Sequence, residues 1–170
     1  MTEKRVVARR DGGMRFVVAT GSGHEVVVDD GISNTGARPT ELVLVGLAAC
    51  TGMDVISILE KKRQEVDSYR VEVLGIQREE RPDVFIRADV LHVVEGATVD
   101  ERAVGRAIEL SAWKYCPVSA MLCAGTVEMH HRYRIVRSAG TTDEGEVVAI
   151  GPGFVPPSSG EIPALVDGPA

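Results

Sequence analysis

The sequence predicts a fold that mixes β-strands with α-helices, and three observations predict it. Residues 4–30 are short β-branched runs separated by glycine-rich turns. Residues 39–63 form a long apolar segment that ends in charges, and residues 68–136 contain strand, helix and strand patterns. The 170 residues, 44% apolar and 26% charged, can bury one core, so we expect one domain with a tail.

The N-terminal runs predict a three-stranded β-meander. The segments KRVVARR, MRFVVAT and HEVVVDD are separated by the turns DGG and GSG. Short β-branched segments between glycine-rich turns are typical of hairpin-connected strands. Neither turn precedes a helix, so the sequence predicts no phosphate-binding loop.

The next element is a long helix. Arg38-Pro39 opens it, because proline is accepted at the first helical position, and it runs to about Arg63. Apolar residues cover most of its circumference, as in a helix surrounded by protein, so we expect a second chain to cover it. The apolar run Leu42–Cys50 is much shorter than the roughly 20 residues that span a bilayer.

The second half predicts two more strands, a helix and a last strand. SYRVEVLGIQRE and DVFIRADVLHVVE alternate as strands do. Thr98 and Glu101 match a capping box, so we expect a helix from there to about Tyr115, ended or kinked by Pro117.

The strand TVEMHHRYRIV closes the predicted domain, residues 1–137. His130 and His131 are adjacent on it and face opposite ways, which is poor geometry for a shared metal ion. Residues 138–170 are rich in glycine, proline and acidic residues, and their apolar patch VVAIG has no evident pairing partner. We expect this tail to be disordered or loosely packed.

Charge and composition exclude several functions. A formal net charge of −6 argues against binding nucleic acid or an anionic membrane. The N-terminus is basic but lacks an apolar run, so we expect no signal sequence and a cytoplasmic protein. Three cysteines, an odd number, argue against a disulfide framework. We expect no metal and no cofactor.

The cysteines are the candidate reactive groups. Cys50 lies about three turns from the helix N-terminus, so any activation of its thiol requires a neighbouring cation. Cys116 lies at a helix exit before proline, where a resolving thiol has room to move. Cys123 resembles a packing residue. Taken alone, these features favour three structural cysteines, because free cysteine is commonly buried.

Two segments, each with one cysteine, carry a family resemblance. The order of elements, with RPTELVLVGLAACTGMDV on the first helix and ELSAWKYCPVSAML on the second, resembles the OsmC and organic hydroperoxide resistance family over about residues 5–137. The resemblance implies an α+β OsmC-like fold, with antiparallel sheets packed around two central helices in an intertwined homodimer. The active sites would lie at the dimer interface.

The resemblance also implies an activity, a thiol-dependent peroxidase that reduces organic hydroperoxides. Cys50 would attack the peroxide as a thiolate and become a sulfenic acid. Cys116 would then close an intramolecular disulfide, which an external dithiol, a lipoyl group in some members, reduces again.

Family members hold the thiolate with an arginine that a glutamate orients. Arg10, in the RDG turn, resembles the peroxidase position, and Arg15 and Arg38 are alternatives. The family glutamate directly follows the helix-opening proline, whereas this chain has Thr40 there and Glu41 one place later. Because Glu41 precedes Cys50 by nine residues, roughly 13 Å along one helix, we expect it to act on that sulfur only from the other subunit or through a bend.

Two hypotheses follow from these residues. The first is an enzyme, with Cys50 peroxidatic, Cys116 resolving and Arg10 or Arg15 activating. The second is a non-catalytic dimer that senses oxidation or binds a small apolar ligand. Fast oxidation of Cys50 by organic peroxides would separate the first from the second.

Overall fold

The computed structural model describes residues 3–138 and 140–155. Its strands and helices, in chain order, are β1 Val6–Arg10, β2 Phe16–Thr20, β3 Glu25–Val28, α1 Pro39–Lys61, β4 Ser68–Gln77, β5 Phe85–Glu95, α2 Glu101–Leu110, a π-helical turn Ser111–Tyr115, α3 Pro117–Ala124, β6 Glu128–Val136 and β7 Thr142–Ile150.

The predicted N-terminal meander is confirmed. β1, β2 and β3 form an antiparallel sheet in that order. The connecting turns use positive φ angles, 92° at Gly12, 53° at Gly13 and 86° at Gly23. Glycine adopts such angles without a steric penalty, which is why the predicted turns contain it.

The predicted long helix is also confirmed. It begins at Pro39 and ends at Lys61, two residues before the predicted end. The Arg38 N–H donates to Glu41 Oε2 at 2.9 Å. A glutamate that satisfies the free N–H at a helix start is half of a capping box, so Glu41 stabilises the start of α1.

The described residues form two compact units, and the boundary lies within α1 between Val45 and Gly46. The N-terminal unit contains the meander and the start of α1, and the second contains the rest of α1, α2, α3 and the four-stranded sheet.

The second sheet has the order β4-β5-β6-β7, and one of its pairs corrects the prediction of antiparallel sheets. β4 and β7 pair antiparallel to their neighbours, but β5 and β6 run parallel. The connection from β5 to β6 contains α2, the π-helical turn and α3. A long helical crossover brings the chain back in the same direction, whereas a hairpin reverses it.

The tail prediction is wrong for the strand β7. Residues 142–150 pair along β6, and Val148 and Ile150 are 4% and 2% exposed. The patch VVAIG therefore has a partner. Residues 156–170, the rest of the predicted tail, lie outside the described residues.

The predicted start of α2 is also wrong. Asp100 is the N-cap, and its carboxylate accepts the Arg102 N–H at 3.1 Å. Thr98 instead donates to Glu65, and Glu101 accepts a hydrogen bond from the Tyr133 hydroxyl. Tertiary contacts thus use both residues of the proposed capping box.

Two apolar clusters form the core of the second unit. One packs the C-terminal half of α1 and α2 onto the sheet, with Val55, Leu59, Val104, Ile108 and Ile135 fully buried. Burying each such side chain contributes about 1.5–3 kcal/mol. The other cluster surrounds the cysteines.

α1 is long and apolar enough, with a mean hydropathy of 2.2 over 18 residues, to cross a membrane by composition alone. The apolar part of α1 is thus longer than the run Leu42–Cys50 in the sequence. Leu47, Val55 and Leu59 are nevertheless fully buried in protein. Only 28% of that window is buried in the single chain, so one face of α1 packs on protein and the rest is partly or fully exposed.

Candidate active site

The structure brings Cys50 and Cys116 together. The two Sγ atoms lie within 4.8 Å of each other, and a carboxylate oxygen of Asp54 lies within the same distance of both. Both cysteines are free thiols. Because a disulfide bond is about 2.05 Å long, a movement of less than about 3 Å would join them.

Cys50 reaches this position because α1 lies close to β4. Gly52 is fully packed there, and a Cβ atom at Gly52 would lie 3.2 Å from Val71 Cγ2. Cys50 itself is half-buried and, like Val71 and Trp113, packs against the buried apolar cluster that contains Cys116. The absence of a side chain at Gly52 thus permits the close approach of α1 to β4.

Cys116 is placed by an interruption of the second helical segment. α2 passes into a π-helical turn, in which the Cys116 N–H donates to the Ser111 carbonyl at 2.9 Å. Pro117 then opens α3, a helix that the sequence analysis missed. Cys116 is the N-cap of α3, and its sulfur accepts the Ser119 N–H at 3.3 Å.

Burial keeps Cys116 protonated. The side chain is 2% exposed, and burial raises the pKa of its thiol to about 12. The Ser119 N–H acts in the opposite direction, while the adjacent Cys50 raises the pKa further. Cys116 is therefore a thiol at neutral pH in the reduced protein.

Asp54 is a site residue that the sequence analysis missed. It lies one turn after Cys50 on α1, and Ser111 Oγ donates to its Oδ2 at 3.0 Å. The single Ser111 proton is used in this bond, so Thr51 Oγ1 donates to Ser111 Oγ at 3.0 Å. Burial raises the pKa of Asp54, and the Ser111 hydrogen bond opposes that shift.

The spacing of Cys50 and Asp54 is the sequence signal that could have identified Asp54. Residues four apart on a helix share one face, so Asp54 lies on the same face of α1 as Cys50. Two thiols and a carboxyl group also form a donor set of the kind that binds zinc.

Three polar side chains form a row of contacts inside the second unit. The Tyr69 hydroxyl is hydrogen-bonded to His92 Nδ1 at 2.7 Å, and His92 Nε2 lies 3.4 Å from His131 Nδ1. Burial lowers the pKa of His92 to about 3 and that of His131 to about 4. Both rings are therefore neutral at neutral pH. Burial also raises the pKa of Tyr69, and the charge of Asp54 adds to this shift.

An open groove of about 360 Å³ lies beside α1. Ala49, Gly52 and Met53 of α1 line it together with Tyr69 and Val71 of β4. Cys50 does not line this groove. The groove therefore follows the helix face next to the thiol.

The four polar residues predicted to act on Cys50, namely Arg10, Arg15, Arg38 and Glu41, lie in the N-terminal unit. Arg10 Nε donates to the Gly13 carbonyl at 2.8 Å, and Arg15 forms an ion pair with Asp11. Glu41 caps α1. Their action on the thiol stays a prediction.

Cys123 packs as predicted. It is fully buried in the apolar cluster around Cys116, and burial raises its pKa to about 11. It is not one of the three grouped donors.

The family described as "OsmC-like protein" matches residues 32–132, a range that includes Cys50, Asp54 and Cys116. The chain belongs to the OsmC-like family.

Relatives and structural neighbours extend the comparison. Protein YhfA of Escherichia coli (strain K12) is 36% identical over 124 residues, which cover 73% of this chain and 92% of YhfA. A hypothetical protein from Aquifex aeolicus VF5 has a TM-score of 0.70 and 32% identity, over 79% of this chain and 98% of that one.

A structure from the hydroperoxide resistance branch shares the OsmC-like fold at lower identity. The organic hydroperoxide resistance protein OhrB of Bacillus subtilis has a TM-score of 0.53 and 21% identity, over 78% of this chain and 98% of OhrB. At this identity the likeness shows the fold alone.

Proposed function

We propose that this protein is a cytoplasmic thiol-dependent peroxidase that reduces organic hydroperoxides. The observation that carries the proposal is the pairing of a half-buried Cys50 with a buried Cys116, their sulfur atoms within 4.8 Å. Membership of a family with neighbours named organic hydroperoxide resistance proteins supports it.

In the first step the Cys50 thiolate attacks one peroxide oxygen and the O–O bond breaks. Cys50 becomes a sulfenic acid, and the other oxygen leaves as an alkoxide that takes up a proton to give an alcohol. Val71, Trp113 and Leu122 pack around the same cluster as Cys50. These apolar neighbours favour a peroxide with a hydrocarbon group.

In the second step Cys116 attacks the Cys50 sulfur, a disulfide forms and water leaves. The adjacent Cys50 raises the pKa of Cys116, and its conversion to a neutral sulfenic acid removes a charge from the site. The Ser119 N–H, which stabilises the Cys116 thiolate, remains. Oxidation of Cys50 thus favours the attacking form of Cys116, and an external dithiol then reduces the disulfide.

The proposal includes a second copy of the chain. Val45 and Met53 of α1 are 56% and 66% exposed in the single chain. A helix with large exposed apolar residues is expected to be covered by protein. In this homodimer Arg10 or Arg15 would hold the Cys50 thiolate, and Glu41 would orient that arginine.

The test is stopped-flow oxidation of the reduced, metal-free protein by cumene hydroperoxide and by hydrogen peroxide. We expect cumene hydroperoxide to react at least about tenfold faster, because the site is apolar. Intact mass should show an internal disulfide in the wild type. In Cys116→Ser it should show over-oxidised Cys50, because no resolving thiol remains.

Four variants complete the experiment. Cys50→Ser should lose the fast phase, whereas Cys123→Ser should keep it. Either Arg10→Gln or Arg15→Gln should slow oxidation, because one of these two arginines is proposed to hold the Cys50 thiolate. The slower variant identifies that arginine. Slow oxidation without preference between the two peroxides would refute the proposed peroxidase activity. It would favour the second hypothesis, a non-catalytic redox sensor.

A further inference from the structure

Cys50, Asp54 and Cys116 place three donor atoms within 4.8 Å of one another. We propose that these residues bind a thiophilic divalent cation of the zinc type in the reduced protein. The ion would use the reduced dithiol whether or not the protein turns over peroxides, so this site does not rest on the peroxidase activity.

The donors have the chemistry and the spacing of a zinc site. Cysteine thiolates and carboxylates are common zinc ligands. Cys50 and Asp54 are four residues apart on α1, a spacing that also places the two histidines of zinc-binding helices on one face. Cys116 supplies the third donor from the start of α3.

The distances fit with small adjustments. Zinc lies about 2.3 Å from sulfur and about 2.0–2.2 Å from oxygen, so ligand atoms around a tetrahedral ion are about 3.5–3.8 Å apart. The three donor atoms lie within 4.8 Å of one another. They therefore need to approach each other by no more than about 1.3 Å, which side-chain rotations achieve.

Neighbouring hydrogen bonds hold two of the donors in place. Ser111 donates to the Asp54 carboxylate and is itself bonded by Thr51. The Ser119 N–H points at the Cys116 sulfur at 3.3 Å. Contacts of this kind orient metal ligands and raise affinity.

Asp54 forms no salt bridge within residues 46–138 and 140–155. A divalent ion bound to the two sulfur atoms and the carboxylate would supply a positive charge there, and its binding would release the thiol protons.

Three protein ligands leave one coordination position open. Cys50 and Asp54 are half-buried, whereas Cys116 is 2% exposed, so the open position faces the Cys50 side. Formation of the Cys50–Cys116 disulfide would remove two of the three donors. The bound ion would thus leave on oxidation, and it would shield the thiols while it is present.

Cobalt(II) titration of the reduced protein under anaerobic conditions tests the site. We expect one ion per chain, with thiolate-to-cobalt charge-transfer bands and tetrahedral visible bands that excess zinc removes. Cys50→Ser and Cys116→Ser should each lose about half of the charge-transfer intensity, because one of two Co–S bonds is gone. Asp54→Asn should keep the bands but weaken binding at least about tenfold.

The controls decide between this site and others. Cys123→Ala retains both donor thiols and should bind as the wild type does, and wild type oxidised to the disulfide should not bind. The proposal is overturned by absent bands in the reduced wild type, by loss of binding in Cys123→Ala, or by unchanged affinity in Asp54→Asn. Circular dichroism is used to check that each variant is folded. The result for the wild-type protein does not depend on the variants. Stopped-flow oxidation uses metal-free protein, so failure of either proposal leaves the other testable.

Discussion

Ser111 connects α1 to the segment that carries Cys116. Its hydroxyl is fully buried between Thr51 and Asp54, and its carbonyl accepts the Cys116 N–H. One residue therefore orients the Asp54 carboxylate and the backbone of Cys116.

Ser111→Ala should lower the free energy of unfolding by about 1–3 kcal/mol, because a buried hydroxyl and a carboxylate lose their partner. Urea denaturation followed by circular dichroism measures the difference. The matched control is Ser22→Ala, whose hydroxyl lies in an exposed turn, and it should change stability by less than about 0.5 kcal/mol. Equal effects of the two substitutions would contradict the connecting role of Ser111.

At the residue scale, the two cysteines could be predicted and their polar neighbours could not. Cys50 and Cys116 lie in segments that resemble a known family, so their pairing follows from the sequence. The role of Asp54 depends on Ser111, which lies 57 residues away in the chain and reaches the carboxylate from the π-helical turn. No local pattern contains that contact.

Among the elements, β7 shows why composition misleads. Its acidic residues suggest a disordered tail, yet Glu144 and Glu146 pair with Arg134 and Arg132 across the β6–β7 ladder. Opposite charges on neighbouring strands stabilise a sheet. The strand therefore depends on a partner that only the fold supplies, whereas the meander and α1 are set by local patterns.

Ile150 tests whether β7 belongs to the folded core. The residue is 2% exposed in the cluster around Cys116 and Met129. Ile150→Ala should destabilise the protein by about 2–5 kcal/mol, because it removes buried methyl groups and leaves a cavity. Thermal unfolding measures the loss.

The control for this change is Val155→Ala, at a side chain that is 78% exposed. It should shift stability by less than about 0.5 kcal/mol. If Ile150→Ala were as mild as the control, β7 would not be part of the cooperative fold.

At the scale of the whole molecule, His92 and His131 couple folding to pH. Both are fully buried, and burial lowers their pKa values to about 3 and about 4. A free histidine has a pKa of about 6.5, so below that pH the unfolded chain binds more protons than the folded one. The stability from these rings is present above about pH 6.5 and is lost as the pH falls.

Urea unfolding at pH 7.5 and pH 5.5 measures this loss. Each buried histidine should lower the free energy of unfolding by about 1 kcal/mol over that interval, where most carboxyl groups are still ionised. His131→Gln removes one titrating ring and should reduce the pH-dependent loss by about half, whatever its effect at a single pH. His24→Gln, at an exposed position, should leave the loss unchanged. An equal pH dependence in wild type and His131→Gln would show that the buried rings do not control acid stability.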